Sequence, residues 1–274
     1  MRVKSGSIPS LRRRAQRGIA FAIAVAAVAL VAPVALGAQG TARTDGPIAP
    51  FSTFYVTTGT LLMDASRLNA HFERTDLPAT QRPGFYTIAN HGYSVGFGGY
   101  GAVMNRVVVG GEYHMANMGS ETSPSGKTNE LVTSYWMGTV GYAALTLWKL
   151  NFIPFAGVGL GSSTLTLKSR DAGPKVPDAF SPTFDEVIAS PGSKSQMKGS
   201  YVMVQPGLAL DLLVLESDAS RVGFTVGLRF ASAISPHRTT WTYGGKEVFG
   251  GPDLGPTGGT VRIVAGIGGF RLGR

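Results

Sequence analysis

The chain has no cysteine among its 274 residues. Disulfide staples, a bacterial lipoprotein anchor and cysteine-ligated zinc are thereby excluded. Charge is also scarce. Only 15% of residues are Asp, Glu, Lys or Arg, against about 25% in typical soluble domains. Histidine is limited to His71, His91, His114 and His237, and "HFER" around His71 lacks metal-ligand spacing. Glycine runs the other way, at 38 residues, about twice the usual share of roughly 7%. The glycines follow no collagen period. Apolar residues reach 43%, which excludes a largely disordered chain.

A net charge of +9 suggests a nucleic-acid partner only until the charge is located. Arg2, Lys4, Arg12, Arg13, Arg14 and Arg17 all precede residue 18, with no acidic residue among them. Without these six, 19 basic residues face 16 acidic ones, and a nucleic-acid role has nothing left to rest on. The cluster is followed by "GIAFAIAVAAVALVA" (18–32), then Pro33, then the small residues of "VALGAQG". Basic, apolar and small-residue parts in that order form a secretory signal peptide. Cleavage is expected after Gly37, Ala38 or Gly40. That places a signal-peptide helix at 1–38 and one mature domain at 39–274. The rival reading is an uncleaved anchor, with the run crossing Pro33 to reach the ~20 residues of a membrane helix.

The mature chain alternates. "VGFTVGLRF" puts Val222, Phe224, Val226, Leu228 and Phe230 on one face and Gly223, Thr225, Gly227 and Arg229 on the other. The same period-2 pattern predicts strands at 54–63, 93–103, 107–115, 131–147, 152–167, 201–214, from 222, and at 260–269. The faces of 131–147 are ambiguous. Connections alternate strictly. "MNR", "KLN" and "ESDAS" are short, whereas 64–91, 117–130, 168–197 and 235–258 are long and polar. A soluble sandwich has no reason for this rhythm; a soluble sandwich or lipocalin-like barrel, with the apolar face inward, is the alternative. A transmembrane barrel has short periplasmic turns at one rim and long extracellular loops at the other. In a soluble reading the glycine-rich faces would lie on the surface and weaken the strands. Turned inside out, the same faces fit a narrow lumen.

A signal, eight strands and alternating loop lengths resemble the small outer-membrane β-barrel domains of Gram-negative bacteria, the OmpA/OmpX type. "PFAGVGLG" at 154–161 is similar to a strand frequent in that superfamily. The resemblance covers the mature chain as architecture. It departs at the end, where the last aromatic residue, Phe270, is followed by "RLGR". It implies an all-β fold: an eight-stranded antiparallel up-and-down transmembrane β-barrel in the bacterial outer membrane, in contact with outer-membrane lipid and lipopolysaccharide. Members serve as anchors, adhesins, narrow pores, or enzymes acting on lipids or peptides, and fold alone does not choose among these.

Catalysis needs a nucleophile beside a base. His91 and Ser94 are the nearest approximation, with no third member, so a non-enzymatic chain without metal or cofactor is expected. The preferred role is structural or surface-interacting. A narrow pore is the first alternative, and a lipid- or peptide-hydrolysing enzyme the second. The charged loop 168–197 reads as mobile, exposed outside the cell, and the contact for an extracellular partner. Tyr55, Tyr93, Trp136, Trp148, Phe152, Tyr201 and Phe230 read as interfacial girdle residues. A lipid-facing Arg near the midplane costs about 2–4 kcal/mol, so Arg229 is expected to point inward. Strand parity then yields an interior charge network of Glu112, Asp211, Arg221, Arg229 and Arg262, with Gln205 and His114. Asp211 and Arg221 should adjoin near the periplasmic rim. Glu112 should pair with Arg229 or Arg262 and close the lumen, in room left by Gly96, Gly98 and Gly110.

Overall fold

Alternating side chains can bury only one face of a strand, and closing the sheet on itself decides which. The computed structural model describes residues 50–74, 83–104, 106–147, 149–170, 176, 181–217, 222–238 and 241–270. The signal peptide, Arg221 and Trp148 lie outside the described residues. In chain order the elements are β1 (Pro50–Met63), α1 (Ser66–Glu73), β2 (His91–Met104), β3 (Val107–Thr122), β4 (Lys127–Tyr142), β5 (Leu145–Leu147) and β6 (Leu150–Ser169). They continue with α2 (Phe184–Ala189), β7 (Lys194–Ser217), β8 (Val222–Arg238), β9 (Trp241–Tyr243), β10 (Lys246–Val248) and β11 (Pro256–Phe270). Eight antiparallel strands close the cylinder: β1, β2, β3, β4, β6, β7, β8 and β11, with β11 returning to β1.

The ambiguous fourth strand has a local cause. Gly141 faces Phe155, but Leu145 faces Phe152, so β4 and β5 form one edge interrupted by an extra residue near Ala143. The bulge flips the side-chain parity. Tyr135 and Met137 point inward before it, whereas Leu145 and Leu147 are exposed after it.

The outer wall is apolar. Phe54, Phe97, Trp136, Leu160, Leu228, Ile263 and Ile267 are all exposed. The lumen face carries Thr53, Thr57, Ser94, Glu112, Gln205, Thr225, Arg229 and Arg262, all buried. A soluble barrel has the reverse polarity, and an exposed apolar surface far beyond a few hundred Å² marks a membrane or partner contact. On β6 the outward apolar stretch runs from Phe152 to Leu160, close to the 9–11 residues of a tilted bilayer-spanning strand. No helix among the described residues is long and apolar enough to cross a membrane. The chain is a β-barrel of the outer-membrane type. The girdle expectation divides on the same parity. Tyr93, Trp136, Phe152 and Phe230 face outward, but Tyr55 and Tyr201 are buried in the lumen, because both share the inward parity of their strands.

β6 and β7 have 20 and 24 residues, too long for the bilayer alone, and their outer halves rise beyond it. There the polarity reverses within a single strand. Leu165 and Leu167 of β6 and Met197 of β7 point inward, toward Leu68 and Phe72 of α1, Phe184, Val187 and Ile188 of α2, and Trp241. The long connections therefore fold into a cap with its own hydrophobic core over the wide-loop end. This corrects the reading of 168–197 as a mobile polar loop. Its described part contains α2, whose Phe184, Val187 and Ile188 are fully buried. Thr183 and Glu186 form a capping box, with Thr183 Oγ1 accepting from the Glu186 amide at 3.2 Å and the Glu186 carboxylate from the Thr183 amide at 2.7 Å. The box starts the helix and turns the three apolar residues downward. Asp185 then joins the two helices, bound by His71 Nδ1 at 2.7 Å and Arg74 Nη1 at 2.6 Å.

Truncating a buried Ile to Ala costs about 2–5 kcal/mol. Ile188→Ala is expected to speed hydrogen exchange across 181–193 while leaving the membrane-spanning strands protected. Unchanged exchange in that segment would show that α2 does not hold the cap.

Candidate functional site

Arg229 of β8 and Arg262 of β11 are direct cross-strand partners, both pointing into the lumen. Like charges directly opposite one another destabilise a sheet, and two guanidiniums buried without an anion would be costly. Glu112 of β3 reaches them from across the barrel. Its Oε1 is bound by Arg229 Nη1, and its Oε2 accepts from Arg262 Nη1 at 2.6 Å. One carboxylate thus uses one oxygen for each arginine, and all three side chains are buried.

Neighbours complete the shell. The Tyr55 hydroxyl donates to Glu112 Oε1 at 2.8 Å and accepts from Arg229 at 2.6 Å. The Arg229 guanidinium lies 4.1 Å from the centre of the Tyr55 ring, a cation–π contact that a dry site strengthens. Arg262 Nη2 donates to Gln205 Oε1 at 3.3 Å, and Gln205 donates onward to Thr260 at 3.2 Å. His114 Nε2 lies 2.7 Å from Glu112 Oε2 and 2.5 Å from Arg262 Nη1, and its ring stacks on Tyr135 at 4.9 Å. Gly98 makes the arrangement possible. A Cβ there would stand 2.8 Å from the Tyr55 hydroxyl, so any side chain would displace it.

The structure brings Glu112, Arg229 and Arg262 together and adds Tyr55, His114 and Gln205. Asp211 stands apart from this core. It accepts from the Tyr100 hydroxyl at 2.8 Å and lines a small space that also touches Glu112, Arg229 and Phe155. Its expected neighbour Arg221 lies outside the described residues. The part of Tyr55 escaped sequence reasoning. Its inward parity on β1, opposite the outward Phe54 and Val56, was the available signal.

His91 and Ser94 do not meet. His91 is exposed on the outer face of β2, and Ser94 is buried on the inner one. Among the described residues no group of three His, Asp or Glu side chains is placed to hold a metal ion.

Leaving two buried arginines without their carboxylate is expected to cost about 3–5 kcal/mol. Glu112→Ala should lower the urea midpoint of the detergent-folded protein accordingly. Tyr55→Phe, which removes the hydroxyl's two hydrogen bonds to charged groups, Glu112 and Arg229, should cost about 1.5–3 kcal/mol or more. A Glu112→Ala protein as stable as the parent would refute a stabilising role for the cluster.

No family model matches the chain, and no curated protein matches it in sequence. Solved structures resemble it in outline. The attachment invasion locus protein Ail of Yersinia pestis is 8% identical, over 80% of this chain and 97% of its own, with a TM-score of 0.41. A major outer membrane protein from Thermus thermophilus is 7% identical over 80% of this chain and 99% of its own, also at 0.41. Neisserial surface protein A is 9% identical over 81% and 97%, at 0.32. The eight-stranded closure itself stands on this chain's own strand register.

Proposed function

We propose that the protein is a closed barrel of the bacterial outer membrane with a structural or surface-interaction role, exported by a cleaved signal at 1–38 and non-enzymatic. The observation that carries this is the filled lumen. The cap core occupies the wide-loop end. Tyr135, Met137, Tyr201 and Met203 lie beneath it. The Glu112 cluster follows, and Ile153, Phe155 and Ala209 fill toward the short-turn end. A conducting barrel needs a continuous aqueous path, and each of these layers stands in its way. The cap is the part that faces outward from the cell, so contact with a partner falls to its surface and to the described ends of the 168–197 connection.

Two measurements test the reading. The folded protein should migrate differently from the boiled one on a gel, as expected for a barrel that survives detergent. In planar bilayers it should show no stepwise conductance, while Glu112→Ala combined with removal of residues 181–193 should conduct. Steady channels from the intact protein would establish a pore instead. Hydrolysis of lipid or peptide lost in His91→Ala would establish the enzyme.

A further inference from the structure

We infer that one resident water joins Asp211 to the free edge of Arg229, which makes Asp211 the second counter-charge of the lumen cluster. Arg229 and Arg262 share the single carboxylate of Glu112, so two guanidiniums stand against one anion. Both hydrogen bonds of Arg229 leave from Nη1, to Tyr55 and to Glu112. Its Nε is buried and has no partner among the described residues. A guanidinium presents Nε and Nη2 as a fork of parallel donors, the edge that carboxylates ordinarily take. Asp211 is the acid at hand. On the β7–β8 ladder Ala209 faces Arg229, and Asp211 faces Gly227, one inward step toward the short-turn end. Asp211 Oδ1 leans over Gly227, where any Cβ would collide with it, so this oxygen is turned toward the strand that carries Arg229. The Tyr100 hydroxyl binds the other oxygen, at 2.8 Å. The two charges stop short of contact, since Arg229 forms its ion pair with Glu112 and none with Asp211.

Asp211 and Arg229 line one space, together with Glu112 and Thr139 and, on its apolar side, Ile153 and Phe155. Its volume is about 20 Å³, room for one water. The flanking charges select the guest. A cation there would face the guanidinium, and an anion would face two carboxylates, so either meets a like charge. A water accepts from Arg229 and donates to Asp211. Thr139 offers a third partner, within the two to four that hold a buried water. The bridge completes an alternating series of Arg262, Glu112, Arg229 and Asp211, with Tyr100 at its end. It ties β7 and β2 to the strands that carry the cluster.

The test follows the Arg229 Nε–H resonance in isotope-labelled full-length protein folded in detergent. The resonance is assigned by its contact with the Tyr55 ring, whose centre lies 4.1 Å from the guanidinium. It should show a nuclear Overhauser contact to water, with the sign of a long-lived bound molecule. Asp211→Leu keeps the bulk and removes the acceptor, and should abolish that contact. Asp211→Asn still accepts from the water. It should keep the contact and weaken the folding equilibrium roughly tenfold, through loss of the charge. An Arg229 Nε–H with no water contact in the parent would overturn the bridge. A contact that survives in Asp211→Leu would overturn it too, by assigning the water to other partners. Asp211→Asn as stable as the parent would show that Asp211 is not the counter-charge. Heat-modifiable migration confirms folding of every sample. If Asp211→Leu does not fold, the parent's water contact and the stability of Asp211→Asn decide the matter between them.

Discussion

Arg229 and Arg262 face each other across β8 and β11 inside a lumen that water barely reaches, and everything near the middle of the barrel answers to that pair. Two adjacent guanidiniums need an anion within hydrogen-bond reach, and lipid offers none. Glu112 supplies it from β3, on the far side of the cylinder, so the contact ties together strands that never share a hydrogen-bond ladder. A one-residue slip of β3 would send every side chain of that strand to the opposite face. Glu112 would then meet lipid, and both arginines would be left bare. The carboxylate therefore specifies register as well as charge balance. It also explains the small residues around it. Gly98 clears the Tyr55 hydroxyl, and Tyr55 in turn holds both Glu112 and Arg229.

The chain solves two burial problems with the same strands. In the membrane, apolar side chains face out and the interior is polar or aromatic. Beyond the membrane, water lies outside, and apolar side chains must turn inward. β6 shows the change along one strand, with Val158 and Leu160 directed outward and Leu165 and Leu167 inward. The cap exists because those inward residues need a core, and α1, α2 and the β9–β10 hairpin provide it. Long connections are thereby drawn into a packed layer instead of standing as free loops.

Most strands within the bilayer were readable because they kept a single parity across the span. The residues 222–230 carried that information almost without interruption, and Arg229 pointed to the correct face for an energetic reason alone. The extra residue near Ala143 broke the pattern of β4 and hid its faces, since a bulge leaves no mark in composition. The outer end of β7, Lys194–Ser200, was missed because "KSQMKGS" holds one large apolar residue, Met197, too few for an alternation template to read as strand. The cap core was hidden for a similar reason. "TFDEVI" at 183–188 carries a capping box and an apolar helical face, but among Lys, Asp, Pro and Ser it passes for loop.

The sequence by itself determined the class of fold. Period-2 alternation, loop lengths that alternate, few charges and abundant glycine leave a membrane barrel as the arrangement that satisfies every strand at once. It also determined that the charged residues of the spanning strands face inward, because hydrocarbon penalises the alternative. Only the tertiary structure decided which charges meet. That Glu112 divides its two oxygens between Arg229 and Arg262, while Asp211 pairs with Tyr100, depends on the relative depth of strands lying across the lumen. Depth is set by closure of the whole cylinder, a sum over all eight strand registers that no single segment contains.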